Sequence, residues 1–507
     1  MKIRPNYEQH TRRRLFMDPQ ILSKDLNINL MDFRERTAHS SDFIEHRITA
    51  SGVDCALLLC DGMVKQELLA EFLAEPLMGL RLARPGPEAL LQWLMERAVL
   101  AADQKPCNTM EEVLHFAMSG FVVILADGAN HAIACGLQGY SLRSVTEPDT
   151  EMNLRGAREG FVEAIRINQT MIRRRIKSTA LKFELYPLNN QSKTDISIVY
   201  MTDRADEKMV EQVKRQLSEV QMDVILSAGY LQPFLEGRPL SLFSRVGTTE
   251  RPDVLCSKVA EGRIGILVDG VPFALIVPYL FNEHFQSLDD YAYRPYYALL
   301  IRLLKYAAFF LSILLPGMYV ALSVFDPEFL PDQLLFTIVS AEESTPFPMM
   351  LEALIIHFIY ELMREAGLRL PRPVGHAVGI VGALVIGDAA VNAGLVGSPM
   401  VMIVALTALS SFVVPSLYEA VALLKFLFII VGGTWGLYGI ALGLMLLAVN
   451  LCALMSEGVP HMAPLAPFSA FSMRDTAFRQ SWRSLGNRSA KLQRMPGSDW
   501  KKGDEKR

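Results

Sequence analysis

Residues Tyr306–Phe325 read YAAFFLSILLPGMYVALSVF. A helix needs about 20 predominantly apolar residues to cross the hydrocarbon of a bilayer, and this run has that length. Two further apolar stretches follow, Val374–Val396 and Pro399–Pro415, and then an almost unbroken tract, Val421–Met455. At about 35 residues this tract is too long for one ordinary crossing. Gly432-Gly433-Thr434-Trp435-Gly436 offers it a place to turn back. The back third therefore predicts an all-α polytopic membrane domain over 299–457, with a soluble region ahead of it.

Charge in the connections sets the expected orientation. Arg294, Arg302 and Lys305 precede the first span and place its start in the cytoplasm. The connection Asp326–Pro348 carries five acidic residues and no Lys or Arg, so it belongs outside. Met349–Met363 is amphipathic, and Arg364, Arg369 and Arg372 draw its end back inside. The uncharged loop Asn392–Ser398 fits the outside, and the basic tail from Arg474 onward the inside. Both termini on the cytoplasmic side require an even number of crossings: about six, or four if the last tract does not turn. Tyr279, Phe281, Phe285, Tyr291, Tyr293, Tyr296 and Tyr297 predict an aromatic collar in the headgroup zone.

With 507 residues, the chain leaves about 295 for the soluble region, enough for about two domains. A net charge of −4 gives no general attraction to nucleic acid. The six cysteines show no C-x-x-C spacing, so small buried thiols are expected rather than a metal site or disulfides. The basic N-terminus lacks an apolar core segment, so no signal peptide is expected.

In the soluble region Asp54–Cys60 has strand length, and MVKQELLAEFL after it has a helical period. Glu111–Ala117 reads as helix, and Phe121–Leu125 with Ala132–Leu137 reads as a hairpin turning at Asp127-Gly128. The order recurs in Asp195–Tyr200, the amphipathic Ala205–Val220, a helix at 252–261 capped from Thr248-Thr249, and a hairpin turning at Asp269-Gly270. The strand Asp and the hairpin Asp lie 73 residues apart in the first set and 74 in the second. Two related α/β subdomains by duplication are expected; unrelated hairpins that share Asp-Gly are the alternative. Arg155–Lys177 reads as one helix with Arg166, Arg173, Arg174 and Lys177 on a solvated or inter-subunit face; a phosphate or headgroup site is the other reading.

The expected organisation, an α+β/α/β soluble region before an all-α membrane domain, is therefore as follows. A flexible arm (1–50) precedes a first α/β subdomain (51–150), then a connecting helix and second α/β subdomain (151–280). An aromatic collar (281–298), the membrane domain (299–457) and a basic cytoplasmic tail (458–507) complete the chain.

Enzyme motifs are absent: there is no P-loop, H-E-x-x-H or G-x-S-x-G. No enzyme, cofactor or metal is expected. Ionisable groups within spans are costly and face protein or water. Glu352, His357 and Glu361 recur about once per turn, either as a titratable ladder lining a pore or as the polar face of an interfacial helix. Asp388 and Asn392 share a face and either coordinate a cation or pair with Lys425. Gly375-x-x-x-Gly379 and Gly439-x-x-x-Gly443 permit close helix packing. Pro316-Gly317 permits a kink and a gating hinge.

Particular phrases carry a family resemblance: LLLCDGMV (57–64), GFVEAIRINQTMIRRRIK (160–177), ERPDVLCSKVAEGRIGILVDGVPFALIVP (250–278) and RLPRPVGHAVGIVGALVIGDAAVNAGLV (369–396). Over about residues 50–468 the chain resembles the A subunits of GerA-type nutrient germinant receptors of endospore-forming bacteria. The resemblance implies a spore germination function in the spore inner membrane, with a multi-span B subunit and a lipoprotein C subunit as partners. It also implies a homo-oligomer of A subunits acting as a nutrient-gated cation channel. Asp388 departs from the uncharged amide expected there. A non-conducting signalling scaffold and a secondary transporter are the alternative functions.

Overall fold

The computed structural model describes residues 21–82, 84–97, 103–137, 139, 148, 151, 153, 155–188, 191–237, 241–370, 387–476, 479–481, 492 and 495–499. The chain divides into two units, 1–237 with 246–278 and 238–245 with 279–507.

The first unit holds two copies of one arrangement. In the first copy the order is α1 (Leu26–Arg36), β1 (Phe43–Ala50), β2 (Val53–Cys60), α2 (Pro87–Arg97), β3 (Gln104–Cys107), α3 (Met110–Ala117), β4 (Val122–Ala126) and β5 (Ala132–Cys135). In the second it is α4 (Ile165–Arg175), β6 (Leu181–Pro187), β7 (Asp195–Met201), α5 (Glu207–Ser218), β8 (Gly247–Thr249), α6 (Pro252–Ala260), β9 (Ile264–Val268) and β10 (Ala274–Val277). The sheets run β1-β2-β4-β5-β3 and β6-β7-β9-β10-β8, the same order shifted by five strands, and every pairing is antiparallel. Both faces of the first sheet are covered: Leu57, Leu59, Val122 and Ile124 pack with Leu90 and Leu94 of α2, while Leu58, Val123 and Leu125 pack with α1 and α3. That double burial explains why β2 reads as a continuous apolar run rather than an alternating one.

Local hydrogen bonds repeat with the fold. Asp127 N–H donates to Asp54 O at 2.8 Å, and Asp269 N–H to Asp195 O at 3.0 Å. The same two carboxylates accept from the first N–H groups of α1 and α4, Leu26 at 3.0 Å and Ile165 at 3.1 Å. Asn29 and Asn168 each bracket the backbone six residues earlier, Ser23 and Val162. A duplication accounts for this coincidence; two unrelated hairpins do not.

These equivalences correct the sequence reading at several points. Residues 21–50 are not a loose arm, because α1 and β1 complete the first copy. Residues 155–164 lie outside the helix, which starts at Ile165 as the counterpart of α1. Thr248-Thr249 is not the N-cap of α6: that residue is Arg251, whose side chain caps no helix N–H, Pro252 opens the helix, and Thr249 Oγ1 accepts the Arg251 N–H at 3.1 Å and donates to Glu151. Burial, only partly offset by that bond, pushes the Glu151 carboxyl up to about 7. The Arg-rich face of α4 is not wholly solvated. Arg173 is 0% exposed and makes two hydrogen bonds to Asp42, at 2.7 and 3.1 Å. It also donates to Ser178 O and Leu181 O, and its guanidinium lies 5.1 Å from the rings of both Phe43 and Phe183. This buried pair joins the copies, beside Ser41, whose N–H and hydroxyl both donate to Phe183 O at 3.0 Å.

In the second unit, α7 (Pro295–Val324) and residues Pro415–Ala453 are long and apolar enough to cross a membrane by length and composition. Between them lie α8 (Asp332–Glu342), α9 (Met349–Arg369) and α10 (Ser398–Ser411); α11 (Tyr418–Ala453) ends the block. The acidic connection expected to be a loop thus contains a helix, with Leu334, Phe336 and Val339 exposed beside its acids.

α11 is two antiparallel arms rather than one rod. Gly436 sits at φ 63°, ψ −149°, a conformation essentially confined to glycine. Beyond it, a Cβ at Gly443 would lie 2.9 Å from the Phe428 ring, and one at Gly439 2.8 Å from Val431 O. In a straight helix residues 428 and 443 would stand about 22 Å apart. The anticipated turn is therefore present, and the Gly439/Gly443 pair packs against the arm before it.

Contacts also give each helix a direction. His284 Nδ1 lies 3.0 Å from Ser416 Oγ, so the start of α11 shares an end of the block with the collar. At the other end a Cβ at Gly436 would meet Phe325 at 3.0 Å, and Met350 lies against Gly433. α7 runs from collar end to far end and α9 returns; α10 runs from Gly397 at the far end towards Val414. The arms of α11 go out and back. Leu370 closes α9 at the collar end and Gly397 opens α10 at the far end; Gly375 and Gly379 lie outside the described residues.

Candidate functional site

The polar residues of the helical block gather on α9. Glu352 and Glu361, nine residues apart, lie on opposite sides of α9: Glu352 meets the start of α10, and Glu361 meets α11. Glu352, 2% exposed, accepts the N–H of Gly397 at 2.8 Å. Gly397 is the N-cap of α10, so the carboxylate sits at a helix N-terminus, where the dipole favours negative charge. His357, 1% exposed, bonds through Nδ1 to Ala353 O at 2.9 Å, one turn earlier. Both side chains face the chain's own helices.

Glu361 is the centre of a denser cluster. Its Oε1 accepts from Lys425 Nζ at 2.7 Å, its Oε2 from Arg364 Nε at 3.2 Å, and the Tyr418 hydroxyl donates to Oε2 as well. The Arg364 guanidinium lies 3.4 Å from the centre of the Tyr418 ring. Lys425 is 2% exposed, with the Tyr360 and Phe426 rings 5.4 and 5.5 Å from Nζ. A buried ammonium in apolar surroundings is tolerated when a carboxylate and ring faces replace water. The cluster ties α9 to the outgoing arm of α11, as Glu352 ties it to α10.

Lys425 does not pair with Asp388 or Asn392. Those two meet each other, Asn392 Nδ2 donating to Asp388 Oδ2 at 3.0 Å on an exposed surface. The correction follows from helix order: α9, not the helix carrying Asp388, lies beside Lys425. The role of Lys425 as anchor for Glu361 was not legible, and Arg364, three residues from Glu361 on one helix, was read for orientation alone. Pro316 and Gly317 are buried within an uninterrupted α7, and a Cβ at Gly317 would lie 2.4 Å from Phe428 O, so the site is a close helix crossing. Among the described residues no group of three or more His, Cys, Asp or Glu side chains converges as metal ligands would.

A duplicated antiparallel α/β unit joined to an apolar helical block with buried charge pairs defines a two-part class, soluble module plus candidate membrane module. The model for "Bacillus/Clostridium GerA spore germination protein" matches residues 31–491, and the chain belongs to this family. It is 40% identical to "Spore germination protein KA" of Bacillus subtilis (strain 168), over 92% of this chain and 86% of that protein. It is 34% identical to "Uncharacterized membrane protein YfkQ" of the same organism, over 96% and 94%. Among solved structures, the N-terminal domain of the A subunit of the Bacillus megaterium spore germinant receptor GerK3 is 27% identical. It covers 52% of this chain and 99% of that one, with a TM-score of 0.43. Family membership supports a germinant-receptor role.

Proposed function

We propose that this chain is an A-type subunit of a nutrient germinant receptor, held in the spore inner membrane. It assembles with further copies of itself and with B and C partners, and conducts cations when nutrient is bound. The observation that carries this reading is the helical block's path. Its described helices, α7, α9, α10 and the two arms of α11 folded back at Gly436, start and finish at the collar end, and in this reading six membrane crossings leave both flanking segments on the cytoplasmic side. In this reading the Glu361–Lys425–Arg364 cluster is the closed-state lock between α9 and α11, and Pro316-Gly317 is the point about which α7 bends. Nutrient binding on a partner shifts the balance between closed and open assemblies.

The experiment is ion-flux recording from the receptor reconstituted with its partner subunits, with and without a nutrient mixture. Nutrient-dependent conductance supports the reading, and its absence in a correctly assembled complex overturns it. A second reading, a non-conducting scaffold, is favoured by the inward placement of Glu352 and His357, the first bonded to Gly397 at the start of α10 and the second to Ala353 of α9 itself. Glu361→Gln separates the two: conductance that no longer needs nutrient fits conduction, while reduced stability alone fits the scaffold.

A further inference from the structure

Residues 454–476, which follow the last apolar helix, are packed. From Leu454 the chain folds onto the collar that precedes α7. His461 N–H donates to Leu454 O at 2.9 Å, closing a short hairpin of Met455–Ser456 with Val459–Pro460. Phe281 N–H donates to His461 O at 2.9 Å, and Asn282 Nδ2 donates to Ala463 O at 3.0 Å. Gln286 Nε2 donates to Asp475 O at 3.0 Å, and Arg479 donates to the carbonyls of Tyr291 and Tyr293 at 2.9 and 3.0 Å. Residues 241–245 join the same body: Arg245 donates to Met455 O at 2.6 Å, and Ser456 Oγ to Arg245 O at 3.1 Å.

Arg302, in the third turn of α7, pins this structure. It is 0% exposed; its Nε donates to Asp290 Oδ2 at 3.0 Å, and its Nη1 to the carbonyls of Asp475 and Thr476, both at 2.8 Å. Asp290 is also 0% exposed, with Lys305 3.7 Å away and the Ser287 hydroxyl donating to it. A buried guanidinium shared between a carboxylate and two backbone carbonyls is a costly arrangement unless all its partners stay in place. One side chain therefore ties the start of the first apolar helix to the segment that follows the last one.

The geometry points to a clasp, residues 454–479 closed over 241–245 and 279–305, that makes the collar ends of α7 and α11 one rigid body. The chain passes between the two units at three places, 237–238, 245–246 and 278–279, and each lies at or beside a segment of this clasp. A conformational change in the duplicated unit is thus delivered to the first and last apolar helices together, through a clasp that stays closed. This inference rests on the receptor reading above.

The test uses the full receptor with its partners. Arg302→Ala opens the clasp, so protease cleavage within 454–479 rises at least tenfold and the nutrient response falls at least tenfold at wild-type receptor abundance. In a second arm, Gln286→Cys with Asp475→Cys, bridged by a short bifunctional thiol reagent, holds the clasp shut and leaves the response unchanged. A bridged receptor that stops responding overturns the inference, because the clasp then has to open. So does an Arg302→Ala receptor with normal protection and response. If Arg302→Ala does not accumulate, the bridged receptor decides. A wild-type receptor that never conducts counts against the receptor reading, whereas cleavage within 454–479 reports on the clasp alone.

Discussion

Replacing Glu361 by Gln would strand a charge the fold has arranged to neutralise. Lys425 is 2% exposed, and its ammonium has the Glu361 carboxylate at 2.7 Å. Removing one member of a buried pair costs about 3–5 kcal/mol, since the other charge remains without water. The Tyr360 and Phe426 rings face the ammonium before and after the change and offset none of it, so Glu361→Gln should lose about 3–5 kcal/mol. Lys425→Met should cost less, about 1–2 kcal/mol, because Glu361 keeps Arg364 and Tyr418 as partners. The double variant should lose no more than Lys425→Met alone, giving a coupling of about 3 kcal/mol or more. Thermal denaturation of the detergent-solubilised full chain, read as a double-mutant cycle, measures it. Additivity within about 0.5 kcal/mol would refute the lock, because independent sites behave that way.

Three more outcomes follow from the geometry. Asp42→Ala should destabilise the duplicated unit by about 3–5 kcal/mol, and adding Arg173→Met should recover much of that, measured by denaturant unfolding; equal losses in the single and double variants would count against the joint. Gly436→Ala should cost about 1–3 kcal/mol in backbone strain alone, and its Cβ would also press on Phe325; an unchanged melting temperature would argue against the reversal. Burial lowers His461 to about 4, so its contribution is complete above the ordinary histidine pKa and is lost as pH falls from about 6.5 through 4. That amounts to about 3 kcal/mol at the clasp, and His461→Phe should flatten the acid limb of protease protection of 454–479.

Glu184 sets a lower pH limit for the duplicated unit. Burial alone would raise its carboxyl, but hydrogen bonds from Lys182, Lys214 and Tyr200 outweigh it and hold it at about 2. The stability it supplies is present above about 4.5 and is lost as pH falls towards 2.

The apolar tracts, the reversal at Gly432–Gly436 and the doubled hairpins were legible because each is a local pattern: length, glycine density, a recurring Asp-Gly. β1 and β6 were not, since edge strands such as FIEHRITA and LKFELYP mix charge with apolar residues and blur the alternation. Arg173 looked like a surface charge because periodicity reports which face a residue occupies, not what later covers that face. The partners of Lys425 and Arg302 lie 64 and up to 174 residues away. No spacing rule reaches that far, and only the packing of helices and tail reveals them.

The duplication has left its halves with unequal duties. In the second copy the chain departs before β8, through residues 238–245, and again after β10; among the described residues the first copy makes no such excursion. Repeat one is therefore linked in sequence to the helical block by way of its twin, and the buried Arg173–Asp42 pair is one of the bonds that hold the two copies to each other. A change that loosened those bonds would free one copy from the other while each kept its own sheet.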